Sequence, residues 1–161
     1  MQRQIAYLLI SILLITVQTT ALNLITVEDI APDIVLIWIV YLAIEQGQVK
    51  GMLWGFFLGL FLDLATQNFI GLSALSKSVC GFVAGYFYNE NKTRLTLGSY
   101  RFPLIVLFSS LVHNILYFVI FTQGTDIGIV RAVFRFGLAT TLYTASFTLL
   151  PMFAFARKRF A

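Results

Sequence analysis

Charge is scarce in this chain. Of its 161 residues only 11% are Asp, Glu, Lys or Arg, against about 25% in a typical soluble domain. Apolar residues make up 59% and the mean hydropathy is +0.88. So few charges cannot cover so much apolar surface in water, which argues against a soluble globule and makes lipid the natural solvent. Cysteine is nearly missing too. Cys80 stands alone within an apolar run, so it forms no intramolecular disulfide or thiolate cluster and reads as a small buried hydrophobe. Histidine occurs once, as His113 beside Asn114. Without a second histidine or a cysteine and acid constellation it is no zinc site, and it reads as a hydrogen-bonded residue of a helix bundle. No Ser/His/Asp or Ser/Lys set and no Walker-type phosphate loop is present. The sequence therefore offers no support for catalysis and requires no cofactor or metal.

What charge there is has a position. A net charge of +4 and a pI of about 9.4 would suit a nucleic acid or an anionic surface. The basic residues, however, sit in ones and twos between apolar segments, with a terminal Arg157-Lys158-Arg159. That is how a multi-span protein sets its orientation, and it points away from nucleic acid.

The apolar segments predict an all-α, polytopic membrane protein, a single transmembrane domain over residues 1–161. Its spans are expected at 5–24, 33–46, 51–66, 71–88, 102–122 and 130–156. The first run is long enough to cross a hydrocarbon core that needs about 20 helical residues. Arg3 before it and Thr19-Thr20-Ala21 near its end allow a signal-peptide reading, but the run is longer than a typical signal core and further spans follow. Glu28 and Asp29 interrupt the pattern, and Pro32-Asp33 reads as a helix start. The second segment is short enough to be re-entrant or only partly spanning. Gln46 to Lys50 and Gln123 to Asp126 read as turns, Asn89 to Arg101 as a solvated loop, and Pro151 as a kink in the last helix. Six spans place both termini on one side. Eight of the eleven basic residues (Arg3, Lys50, Lys92, Arg94, Arg101, Arg157, Lys158 and Arg159) then fall in loops on that side, and the opposite loops hold none. The expected topology has both termini in the cytoplasm.

The richest stretch runs from Gly51 to Gly85. Gly51, Gly55 and Gly59 lie four apart, forming a ridge without side chains that Asp63 continues, and Gly81 and Gly85 repeat the spacing on the next segment. Two readings are open: a packing seam within the bundle, or a groove that takes a separate transmembrane partner. A carboxylate inside a membrane needs a partner or water. Counting along the hairpin puts Asp63 and Lys77 at similar depth below the outer face, so an ion pair or shared hydrogen-bond network between them is expected. Asp33, Arg131 and Arg135 lie toward the same face, and the five residues could line an outward-facing polar recess, through structural pairing or as a ligand pocket.

An ordered series runs through this part of the chain. It comprises Pro32-Asp33-Ile34-Val35-Leu36, Tyr41-Leu42-Ala43, Gly51, Gly55-Phe56, Gly59-Leu60, Asp63-Leu64, Gly71-Leu72, Gly81-Phe82 and Gly85-Tyr86. The series resembles the bacterial MreD family of rod shape-determining proteins. Length and span count fit over nearly the whole chain; the specific part is Pro32 to Tyr86, and the last third is similar in hydropathy only. The resemblance implies a non-enzymatic inner-membrane scaffold of the rod, or elongasome, complex. Such a protein partners MreC and works with MreB, RodA and a penicillin-binding transpeptidase in peptidoglycan synthesis. The family is also similar in fold to the substrate-binding membrane subunits of energy-coupling-factor transporters. That similarity supplies the alternative function, a vitamin-type substrate-binding subunit using the outer recess.

Overall fold

The computed structural model describes residues 2–20, 32–67, 69–124, 132–149 and 151. Among them the chain is all-helical: α1 Gln2–Thr20, α2 Ile34–Gln46, α3 Gln48–Thr66, α4 Leu72–Gly85, α5 Thr93–Leu97, α6 Arg101–Phe121 and α7 Leu138–Phe147. A 3-10 turn, Thr122–Gly124, follows α6, and a π-helical stretch, Ala132–Gly137, leads into α7. By length and composition α1, α3 and α6 can cross a membrane, while α2 and α4 are shorter apolar helices. Glu28, Asp29 and Arg157-Lys158-Arg159 lie outside the described residues.

The short second segment is the centre of the fold. Pro32 cannot continue a helix upstream, and the Asp33 carboxylate caps α2 by accepting from the Leu36 N–H at 2.8 Å. Val35, Leu36, Ile39, Val40, Leu42, Ala43 and Ile44 are all at most 1% exposed. Burial on nearly every side explains the lack of a polar face, which a helix facing water would keep. At 13 residues, α2 rises only about 20 Å, so it owes its place to its neighbours rather than to lipid. The expected turn of Gln46 to Lys50 contracts to one residue: Gly47, at φ +92°, ends α2 and lets α3 begin at Gln48. The 89–101 loop also departs from expectation. It contains α5, whose Leu97 is buried in the core cluster that includes Leu36, Val40 and Phe102, because a leucine at that point has an apolar cluster within reach.

Helices α3 and α4 meet backbone to backbone. A Cβ at Gly51 would lie 2.5 Å from the Ala43 Cβ and 2.7 Å from the Gly81 carbonyl oxygen; one at Gly59 would lie 2.6 Å from the Ala74 Cα. A Cβ at Gly55 would strike the Lys77 carbonyl, at Gly81 the Gly51 backbone, and at Gly85 the Gln48 backbone. The reading of this row as a groove for a separate partner is therefore corrected: the chain's own α4 fills it, with α2 closing its lower end at Ala43. Small-residue seams of this kind let dispersion contacts form where lipid removes the hydrophobic drive for helices to associate.

Gly55→Leu or Gly81→Leu should overpack this seam and destabilise the protein by about 1–3 kcal/mol or more. Phe56→Leu, next in the chain but 44% exposed, should change little. Thermal unfolding of the detergent-purified protein, followed by loss of the monodisperse peak, checks both.

Candidate functional site

Asp33 is the junction of four helices. Its Oδ1 caps α2, its Oδ2 accepts a hydrogen bond from the Lys77 ammonium of α4, and its backbone N–H donates to Thr144 Oγ1 of α7 at 3.0 Å. His113 of α6 brings Nε2 to 3.8 Å from the same Oδ2. The Lys77 side chain is only 1% exposed. An ammonium so far from water is tolerable only beside an opposite charge with its hydrogen bonds met, and Asp33 supplies that charge at the start of the central helix.

Asp63 does something different. It is fully buried, and its Oδ2 accepts from the N–H groups of Gly71 at 2.9 Å, Ser73 at 3.0 Å and Ala74 at 3.3 Å. Those are the orphan donors at the start of α4, where the helix dipole also favours a negative charge. Gln67, in the left-handed region at φ +54°, and Gly71, at φ +98°, turn the chain so that α3's own carboxylate meets them. The expected Asp63–Lys77 pair is thus corrected. The two residues do lie in the same hairpin, but the carboxylate is consumed by backbone N–H groups and the lysine is drawn across to α2. Of the recess expected from Asp33, Asp63, Lys77, Arg131 and Arg135, the structure brings Asp33 and Lys77 together and adds His113. Arg131 lies outside the described residues; Arg135 belongs to the π-helical stretch, and its side chain is not described.

Two polar groupings have no counterpart in the sequence reading. Asn114 Nδ2 donates to Thr141 Oγ1 at 2.8 Å and to the Gly137 carbonyl at 3.2 Å, joining α6 to the start of α7. The signal for it is small or polar residues four apart, Ser110 with Asn114 and Gly137 with Thr141. At the opposite end of α2, Glu45 accepts from Arg3 at 2.5 Å and from the Tyr7 hydroxyl at 2.8 Å, tying α1 to the bundle. Of the buried polar atoms, His113 Nδ1 and Ser109 Oγ have no hydrogen-bond partner.

These arrangements assemble helices; they do not resemble a reaction centre. Among the described residues no group of three His, Cys, Asp or Glu could hold a metal. The class this defines is an integral membrane protein whose few interior charges are spent on holding apolar helices to one another. Comparison with protein families then makes the identification: the chain belongs to the MreD family, described as rod shape-determining protein MreD, which matches residues 1–159. It therefore takes part in rod shape determination, as a member of a structural rather than an enzymatic family. Comparison with curated proteins and with solved structures gives no match.

Because Lys77 and Asp33 neutralise each other, Lys77→Met or Asp33→Asn alone should cost about 3–5 kcal/mol by stranding a buried charge, and the double variant less than the sum. Unfolding midpoints of the four proteins in one detergent close the cycle; strict additivity would show that the contact carries no coupling.

Proposed function

We propose that this chain is a non-enzymatic scaffold of the rod complex. It lies as a single six-span domain in the bacterial cytoplasmic membrane with both termini inside, where it binds MreC and so helps organise lateral peptidoglycan synthesis with RodA, its penicillin-binding transpeptidase and MreB. The observation that carries this reading is membership of the MreD family over residues 1–159. The polar centre supports it, because Lys77, Asp33 and Asp63 are committed to contacts within the chain, as suits a rigid platform. Topology draws support from the basic end. Arg3 and Lys50 line one cleft, Lys92 and Arg101 the next, and the two clefts share Tyr88. A cluster of cations at one end of a bundle is what the positive-inside rule turns toward the cytoplasm. Since α4 fills the glycine row, MreC would meet the outer, lipid-facing surface, and the glycines would serve it only by setting the shape of that surface.

Co-expression with a tagged MreC of the same organism should recover the chain in the membrane-extracted complex. Gly55→Leu should lower recovery only as far as it lowers the amount of folded protein, and no co-purification with the wild type would sink the scaffold reading. Reporter fusions at the C-terminus and in the 89–100 loop should both report cytoplasm, with one after Gln123 reporting the far side; any other pattern rejects six spans.

A further inference from the structure

Helix α1 is hydrogen-bonded to α2, packs through Leu14 and Ile15 against the cluster that holds Leu58 of α3, and leaves a groove open along the rest of its border with α3. Arg3 and Tyr7 bind Glu45, Trp38 Nε1 donates to Ser11 Oγ at 2.9 Å, and the Ile34 N–H donates to Gln18 Oε1 at 2.9 Å, so one face of α1 is fastened along α2. Between its next face and α3 runs a groove of about 820 Å³ walled by side chains such as Leu8, Ile12, Ile15, Leu53, Trp54 and Phe57. That volume lies in the range, about 300–1,000 Å³, of sites that enclose small ligands.

The groove changes character at one end. Gln4, Gln46 and Lys50 line both its mouth and the adjoining polar cleft that holds Arg3, Tyr7 and Glu45. Two donors there are unspent. The Gln46 amide oxygen accepts from Gln4 Nε2 at 3.5 Å, but its own Nε2 is buried with no hydrogen-bond partner, and Lys50 is exposed and in no ion pair among the described residues. A buried amide donor left unpaired is costly. An apolar trough capped by a spare cation and a spare donor is complementary to an amphiphile with an anionic head. A membrane-spanning helix would leave both donors facing its own apolar side chains.

We propose that the α1–α3 groove is a binding site for an anionic phospholipid, with acyl chain in the trough and phosphate received by Lys50 and Gln46. The lipid occupies the leaflet on the side of the basic loops. It fills the space that α1 and α3 leave open, so that α1 stays attached to the bundle through lipid as well as through Glu45.

Native mass spectrometry of the full chain in neutral detergent, with equimolar phosphatidylglycerol and phosphatidylcholine of identical chains, tests this. The wild type should retain one phosphatidylglycerol in preference to phosphatidylcholine. Lys50→Gln, a change at an exposed position, should reduce that preference roughly fivefold. Ile12→Trp, which fills the trough, should reduce retention of both lipids, while Lys92→Gln in the neighbouring cleft should leave the ratio unchanged. Equal retention of the two lipids by the wild type, or an unaltered ratio in Lys50→Gln, overturns the assignment. A second copy of the chain or a single-span partner as occupant predicts the reverse result. Ile12→Trp would then abolish a protein complex in the same spectra without lowering the retention of either lipid, and that outcome also overturns it.

Discussion

A lysine ammonium with 1% of its side chain exposed sets the terms for the rest of this molecule. Lys77 cannot be placed in the interior unless a carboxylate comes to it, and the only way for Asp33 to do so is for α2 to begin at that depth, against α4. The same residue acts through its backbone as well, because its carbonyl lies where a side chain on Gly55 would be. One position of α4 is thus held from two directions, by an ion pair toward α2 and by bare backbone contact toward α3. The hairpin and the central helix are mutually dependent: a bulky residue in the glycine row would move Lys77 away from Asp33, and loss of Asp33 would strand the charge that the seam buries.

From that junction the polar contacts spread outward along the helices. Thr144 meets the Asp33 backbone and Asn114 meets Thr141, so α6 and α7 are joined to the core by hydrogen bonds. Asp63 closes the turn between α3 and α4 on its own backbone. Glu45, at the far end of α2, collects Arg3 and Tyr7 of α1. In lipid, apolar surfaces have little preference for each other over acyl chains, and these sparse directional contacts choose which helix neighbours which. The groove beside α1 follows from this economy. Held to α2 by hydrogen bonds and packed through Leu14 and Ile15 against the cluster that holds Leu58 of α3, α1 leaves a groove open along part of its border with α3, and lipid is at hand to fill it.

Much of the architecture was legible before any coordinates. The apolar runs locate α2, α3, α4 and α6 to within a few residues, Pro32-Asp33 marks the start of α2, and the four-residue glycine spacing singles out the face of α3 that packs closest. Asp33, Asp63 and Lys77 stand out because charges in such runs are rare. What misled the reading was depth. Asp63 and Lys77 do lie in one hairpin, but a count of residues from its turn says nothing about azimuth, and Lys77 reaches across to α2 while Asp63 turns onto the start of α4. Leu97 was hidden for a related reason: in a polar loop one leucine looks incidental, and only the position of Leu36, Val40 and Phe102 gives it somewhere to go.

By itself the sequence determined solvent, element type and the inventory of charges, since those depend on residue chemistry and on spacing within one helix. Which carboxylate takes the lysine, whether the glycine row faces an internal helix or a partner, and where α1 leaves a groove were decided only by the tertiary structure. Each depends on the rotation of one helix about its axis relative to another, a quantity set by side chains far apart in the chain and absent from the periodicity of any single segment. For the Gly51 to Gly85 hairpin, that rotation turns the glycines of its two helices onto each other's backbone and hands its lysine to α2.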